Sequence, residues 1–338
     1  MAMVNPFDIF SVTEISAAIN RVPNNYGRIG QMNLFPVKGT TSRSVAIEEK
    51  NGTLSLIPIE GGNAARGPGN VGEVGKRKLR TFIVPRLVYD EFCGPEEVQG
   101  VRAFGGAEQD NLARLLNEKL VTARSKHDIT LEHLRFGALK GVIYDADGSV
   151  YEDLYDAFDI TQKSVDFVLG TPGTDIQAKC REVLRHIEDN LFGEIMNGVR
   201  VEVSPEFFDR FTSHAKVREA YAGYQEAAQR LGGDNRSGFT FAGLTLTEYR
   251  AVSRTPAGAA LRFIAAGEGH AYPTGTATTF ATHVAPADFN ETVGQLGQLY
   301  YAKTVPAKFD RGWDIHTQSN PLPLCHRPDV LVRVHTSN

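Results

Sequence analysis

The chain has 338 residues, 41% of them hydrophobic, and its 36 Lys and Arg against 40 Asp and Glu give a formal net charge of −4. It can bury a substantial core as two domains or one elaborated one, and a pI near 6.2 excludes a protein whose affinity rests on neutralising nucleic-acid phosphates. Cys93, Cys180 and Cys325 are odd in number, widely spaced and without a CxxC pair, so neither a disulfide framework nor a structural zinc site is expected, and a reducing compartment fits.

The opening MAMVNPFDIF lacks the positive start and continuous apolar run of a signal peptide, and no later stretch approaches the roughly 20 apolar residues of a membrane span. Folding in cytoplasm is expected. Ser11 and Glu14 form a capping box, with Phe10 and Ile15 placed to staple it, which predicts a helix from Val12 to before Pro23 with Val12, Ile15 and Ile19 on its apolar side. Asn24 to Thr41, rich in Asn, Gly, Pro and Thr, reads as an extended arm.

Residues 51 to 87 read as a long β-hairpin. The first arm is Gly52 to Glu60, with Leu54, Leu56, Ile57 and Ile59; the second is Lys76 to Leu87, with Leu79, Phe82, Ile83 and Val84. Six glycines between Gly61 and Gly75 form the tip, and Arg66, Lys76, Arg77, Lys78 and Arg80 give a basic face. A lone two-stranded hairpin is marginal in water, and each large apolar side chain left uncovered forgoes about 1.5–3 kcal/mol. The hairpin therefore either folds onto its own domain or reaches a neighbouring subunit, and the second reading is preferred because long structureless tips are usually functional.

The strongest helix pattern begins at Ala107 and runs to Phe136 or Lys140. Leu112, Leu115, Leu116, Leu120, Ala123, Leu131, Leu134 and Ala138 recur at steps of three and four, giving one apolar stripe on a spar across a flat domain. His127 falls on that stripe and reads as a packed core histidine. Gly141 then opens a second hairpin with an Asp147-Gly148 turn. Asp145, Asp147, Glu152, Asp153 and Asp156 make it acidic. A calcium loop fails on spacing, because Val150 and Asp156 stand where an EF-hand needs Gly and a bidentate Glu. The remaining readings are a solvated turn or an acidic surface that meets the basic arm of another subunit.

Thr174 and Gln177 read as a capping box for a helix with Ile176, Cys180, Val183, Leu184, Ile187 and Leu191 on one face, so Cys180 is expected to be buried rather than reactive. Ser204 and Pro205 read as N-cap and N1 of a helix stapled by Val203 and Phe208. GGDNRSG is a turn, and FTFAGLTLTEYR and ALRFIAAG read as strands. Helices and strands mix without a regular βαβ alternation, which favours α+β.

Motifs for catalysis are missing: the sequence holds no GxxxxGK[ST], GxSxG, HExxH or strand-to-helix GxGxxG. Glu268, His270, His283 and Asp288 come nearest to a catalytic or metal cluster, with no recognised ligand spacing. Cys325 and His326 are adjacent, which on a strand sends them to opposite faces.

The run AYPTGTATTFATHVAPADFNETVGQLGQLYYAK, followed by RGWDIHTQSNPLPLCHRPDVLVRV, resembles the major capsid protein E family of tailed bacteriophages. The blocks DITLEHLRFGALKGVIYDADGSVYEDLYDAF, SPEFFDRF and FAGLTLTEYR are similar to the same family in the same order. This resemblance implies an α+β, HK97-type capsid fold: an N-terminal arm over 1–50, an extended hairpin or E-loop over 51–90, and a peripheral domain over 91–174 with its spine helix at 107–140. An axial domain over 175–300 and a C-terminal return over 301–338 to the peripheral and axial sheets complete it.

The function implied is that of a major capsid protein, self-assembling into hexamers and pentamers of an icosahedral head around double-stranded DNA. It would be a virion protein, not an enzyme, with no cofactor or metal and no membrane. The implied partners are other copies of the chain, a separate scaffolding protein, a portal, a decoration protein and non-specifically contacted DNA, with assembly in the host bacterial cytoplasm. Leu54, Leu56, Arg66, Lys76, Arg77, Lys78, Arg80, Phe82 and Ile83 are the expected hairpin contacts, and Asp145, Asp147, Glu152, Asp153 and Asp156 the expected acidic counterpart. The alternatives are the shell of an encapsulin-like compartment and a soluble hydrolase using Glu268, His270 and His283.

Overall fold

The computed structural model describes residues 16–17, 19–20, 27–50, 77–100, 108–220 and 235–338. In chain order the described strands begin with β1 (Val37–Gly39), β2 (Ser44–Lys50), β3 (Arg77–Ile83) and β4 (Leu87–Cys93). The long helix Glu108–Lys140 is followed by β5 (Val142–Tyr144), β6 (Val150–Asp153) and β7 (Lys163–Asp166). Helix Ile176–Asn190, β8 (Gly198–Val203) and helix Pro205–Ser213 come next, then β9 (Phe239–Phe241), β10 (Leu244–Glu248), β11 (Val252–Arg254) and β12 (Ala260–Arg262). The chain closes with β13 (Glu268–Thr274), β14 (Phe280–Val284), β15 (Tyr301–Pro306), β16 (Trp313–Ser319), β17 (Pro321–Cys325) and β18 (Val332–His335).

The described strands form one mixed six-stranded sheet in the order β7-β18-β13-β8-β10-β9, two three-stranded sheets, β1-β14-β17 and β15-β16-β4, and three two-stranded sheets, β2-β3, β5-β6 and β11-β12. Residues distant in sequence alternate within these sheets, so the C-terminal segment divides: β16 pairs with β4, β17 with β14, and β18 with β7 and β13. Near the start of the described chain, β1 runs parallel to β14 from Val37↔Thr282 to Gly39↔Val284.

The long helix occupies the segment with the strongest helical pattern. Its 33 residues span about 50 Å at 1.5 Å per residue. Leu116, Leu120, Ala123, Leu131, Leu134 and Ala138 of the stripe are buried. So are Arg124, His127, Asp128, Glu132 and Arg135, which apolar periodicity does not reveal. Arg124, His127 and Asp128 are held by hydrogen bonds of their own. The Arg124 Nε donates to both Asp128 oxygens at 2.9 Å, and its Nη1 to the Ile19 carbonyl at 2.8 Å. His127 bonds Thr317 Oγ1 at 3.0 Å, and burial holds its imidazole down to about 4, so it is a packed core histidine.

Gly141 ends the helix at φ 81°, a region where a side chain is strained. The Tyr155 ring leaves no room for one either, since a Cβ there would lie 2.3 Å from Tyr155 Cε2. The second hairpin is shorter than its sequence suggested. Its β6 arm stops at Asp153 because that carboxylate accepts from the N–H groups of Tyr155 and Asp156 and starts the helical turn Leu154–Ala157.

A similar shift moves the start of the helix Ile176–Asn190. Its N-cap is Asp175, whose Oδ1 accepts from Ala178 N at 3.0 Å, while Thr174 Oγ1 donates to the Val168 carbonyl at 3.1 Å. Aspartate caps better than threonine. The expected face of Ile176, Cys180, Val183 and Ile187 is fully buried, and burial pushes the Cys180 thiol up to about 12. Ser204 caps the next helix as read, accepting from Phe207 N at 3.3 Å with Pro205 in the first turn.

The first hairpin needs a larger correction. The described part of its second arm, β3, pairs antiparallel with β2 in a register from Ser44↔Ile83 to Lys50↔Arg77. Its partner strand thus starts at Ser44, inside the stretch assigned to the arm, where Val45 and Ile47 face inward and alternate with Ser44 and Ala46 as a half-buried strand requires. Residues 51–76, including the expected first arm Gly52 to Glu60, lie outside the described residues, as does the Ser11–Glu14 capping box. Leu87 belongs to the next strand, β4.

Candidate assembly surface

The hairpin is rooted in its own subunit. Val45, Phe82 and Val84 are buried in the main core, with the Phe82 ring stacked 6.0 Å from that of Phe158. Arg80, expected to reach a neighbour, instead turns inward. Its guanidinium donates to the carbonyls of Ala157 and Phe158, pairs with Asp159 at 3.7 Å and lies 4.8 Å from the Phe158 ring centroid. The physical reason is that the last carbonyls of a helical turn lack intrahelical partners, and a nearby cation satisfies them. Phe82 and Arg80 are therefore occupied within the chain. Ile83, the next residue along the strand, is 64% exposed.

Of the other expected hairpin contacts, Leu54, Leu56, Arg66 and Lys76 lie outside the described residues, while Arg77 and Lys78 are placed on the backbone of β3. The acidic residues sit on the β5-β6 hairpin and the turn after it. Asp145 Oδ1 accepts from Ala146 N at 2.6 Å, and Asp147 Oδ1 from Ser149 N at 2.9 Å. The Ser149 hydrogen bonds hold the Asp147 carboxyl below its usual range. Glu152 is half-buried, and burial, with Asp153 and Asp156 beside it, raises its carboxyl. Asp156 is exposed.

Sequence reading placed the basic hairpin and the acidic turn on facing subunits; within one subunit they already adjoin. Tyr151 Oη donates to the Ile83 carbonyl at 2.8 Å, and Arg43 Nη2 donates to the Val84 carbonyl at 3.3 Å. The acidic hairpin thus braces the point where β3 leaves the core. Tyr151 was not singled out in the sequence, and no local signal points to it, because its partner lies 68 residues away.

Other large apolar side chains are exposed away from this hairpin. Val293 and Leu296 protrude from the loop before β15, and Phe309, 86% exposed at φ 64°, from the turn between β15 and β16.

The residues of the hydrolase alternative do not converge. Glu268 is taken by Arg333 across the six-stranded sheet. His270 is buried on the same sheet with its ring edge-on to Phe136, and burial, with Lys140 and Arg333 near, drops its imidazole to about 3. His283 stands on a different sheet, against His326. Asp288 pairs with Arg86 at 2.6 Å. Among the described residues no helix is long and apolar enough to cross a membrane.

The model of the family described as phage major capsid protein E matches residues 11–336. The chain is 29% identical over 356 residues to the major capsid protein of Salmonella phage Felix O1, covering 96% of each chain. It is 32% identical over 341 residues to the major capsid protein of Pseudomonas phage KPP10, again covering 96% of each. Among solved structures, a putative capsid protein of an E. coli CFT073 prophage superposes with TM-score 0.60 at 14% identity, covering 97% of this chain and 99% of that one. The mature capsid subunit of bacteriophage PhiM1 superposes with TM-score 0.51 at 16% identity, covering 94% and 89%.

Proposed function

The chain belongs to the phage major capsid protein E family, a major capsid protein of a tailed phage with the HK97-type α+β fold, and on that premise we propose how its copies build a shell. They join as hexamers and pentamers of an icosahedral head that encloses double-stranded DNA. Repeated heterologous contacts close such a ring, so a projecting element of one copy covers a surface of the next.

The observation that carries this reading is the junction at Phe82 and Ile83. Phe82 is sunk in its own core while Ile83 is 64% exposed beside it, so the hairpin has a fixed root with an outward apolar side chain on it. In this proposal Leu54 and Leu56 supply apolar contact to a neighbouring copy, and Arg66, Lys76, Arg77 and Lys78 meet its carboxylates. Asp156 and Glu152 are the candidates for those carboxylates, because Asp145, Asp147 and Asp153 are engaged in their own turns. Such charge pairs set register and partner choice more than raw affinity.

In this reading residues 1–50 act as an arm, 91–174 as the peripheral domain and 175–300 as the axial domain, with 301–338 returning to the sheets of both. The role is structural and non-enzymatic. The remaining partners are a separate scaffolding protein, a portal, a decoration protein and the packaged DNA, and assembly takes place in the host cytoplasm. Negative-stain microscopy with light scattering, on the chain expressed with and without its neighbouring phage genes, tests the reading. Closed shells or capsomer rings are expected; a species that stays monomeric under both conditions overturns it.

A further inference from the structure

Strand β14 and the bend that follows β17 place two partly exposed imidazoles against one another. His283 Nε2 and His326 Nε2 lie 3.1 Å apart, with the ring planes at 42°. His326 is fixed in both position and tautomer. Its Nδ1 donates to the Thr278 carbonyl at 2.8 Å, which leaves a lone pair on Nε2. The Thr278 peptide is itself held, because Glu194 Oε1 accepts from Thr278 N at 2.5 Å and Glu194 Oε2 from Thr279 Oγ1 at 2.7 Å. Arg327 pairs with the same carboxylate at 3.5 Å.

From this geometry we propose that His283 and His326 form a two-imidazole binding site for a divalent transition-metal ion such as Zn²⁺. Zinc binds imidazole nitrogen at about 2.0–2.1 Å, so nitrogens at the observed spacing subtend about 100° at a shared ion, close to the tetrahedral angle, once the two rings, now pointing nearly at one another, turn their Nε2 lone pairs toward it. An imidazole ligand characteristically donates its other ring N–H to a backbone carbonyl or carboxylate, and His326 does so to Thr278. Metal binding also needs neutral rings. Burial keeps both imidazoles below their usual value, with Lys38 contributing to each.

In the metal-free pair the hydrogen lies on His283 Nε2 and points at the lone pair of His326. An ion entering between the rings displaces it to Nδ1 of His283, so both Nε2 atoms coordinate and no proton leaves the protein. Among the described residues no third His, Cys, Asp or Glu completes a three-ligand cluster, so the remaining positions go to water and the ion exchanges. Lys38, exposed and opposite His283 in the β1-β14 register, places a positive charge beside the ion and limits its affinity. Because β1 pairs with β14, a bound ion ties the end of β17 into the same sheet. This inference stands independently of how the shell is assembled.

The test is calorimetric titration of the metal-stripped full-length protein with zinc chloride, with melting followed in parallel. The wild type is expected to take up zinc at a site that His283→Ala and His326→Ala each weaken by at least tenfold, and zinc is expected to raise the melting temperature of the wild type but of neither variant. Glu194→Gln, which loosens the carbonyl that orients His326, is expected to weaken binding by about 10–100-fold. Lys38→Ala changes an exposed side chain and is expected to tighten binding several-fold, so it tests the site even where a histidine variant does not fold. No zinc uptake by the wild type, uptake unchanged in both histidine variants, or an affinity unmoved by Lys38→Ala overturns the proposal.

Discussion

Glu132, in the middle of the long helix, accepts a hydrogen bond from Ile29 N at 2.8 Å, so the carboxylate of one element holds the backbone of a segment 103 residues earlier. The same carboxylate takes Gly30 N at 3.1 Å and Tyr249 Oη at 3.0 Å. The segment at Ile29 and Gly30, the long helix and the residue that follows β10 therefore meet on one side chain that is 3% exposed. Glu132→Ala leaves one buried amide, one half-buried amide and a phenol without their acceptor, while Arg135 loses a nearby counter-charge. The expected destabilisation is about 3 kcal/mol, and Glu132→Gln, which keeps one acceptor oxygen, should cost less. Denaturant melts of the full chain compare the two.

The buried histidines predict how stability responds to acid. The imidazole of His270 falls to about 3, that of His127 to about 4 and that of His283 to about 4. The folded chain resists protonating these groups while the unfolded chain does not. Stability is therefore full above about pH 6.5, the unfolded value, and declines as pH falls toward the folded values. Glu202 acts in the opposite sense, since burial raises its carboxyl and the folded state takes up that proton first. For His270→Phe, which keeps a ring against Phe136, the loss of stability between pH 7.5 and pH 5 should shrink by about 2 kcal/mol. An unchanged slope in pH-dependent melts counts against His270 as a source of acid sensitivity.

Two glycines at positive φ separate backbone strain from steric clash. Gly141 has φ 81° and Gly148 φ 90°. A Cβ at Gly141 would meet the Tyr155 ring at 2.3 Å, whereas one at Gly148 meets nothing within 4 Å. Gly148→Ala should cost only the left-handed backbone penalty of about 1–2 kcal/mol. Gly141→Ala adds an overpacking term of about 1–3 kcal/mol. Melting temperatures of the two variants should fall in that order.

What could be read in advance follows the range of the interactions. The long helix was legible because its apolar residues repeat every three or four positions, and Ser204-Pro205 because capping is local. Thr174 was read as a cap only one residue from the true cap, Asp175, an error within the precision of helix ends. The β2-β3 register was misread because Val45 and Ile47 form a short alternating run beside a more apolar one at Leu54 to Ile59. The burial of Glu132, the inward turn of Arg80 and the pairing of His283 with His326 depend on partners from 43 to 117 residues away, which no local pattern encodes.

Arg80 and Ile83 are three residues apart on β3, yet they should fail in different ways. Arg80 satisfies carbonyls of its own chain, so Arg80→Ala should lower the stability of the unassembled subunit by about 1.5–3 kcal/mol, the range for hydrogen bonds to a charged group. Ile83 is exposed, so Ile83→Asp should leave the melting of the unassembled subunit within about 0.5 kcal/mol of wild type. In an assembly reaction the order reverses. Ile83→Asp puts a charge on the proposed contact, and light scattering should show few or no shells, whereas subunits of Arg80→Ala that remain folded should still form them. Reversing the charges of Lys76, Arg77 and Lys78 together should also block normal shells if the basic arm sets partner choice. Wild-type shells from Ile83→Asp would place the contact elsewhere, with the exposed Phe309 at the turn between β15 and β16 the next residue to change.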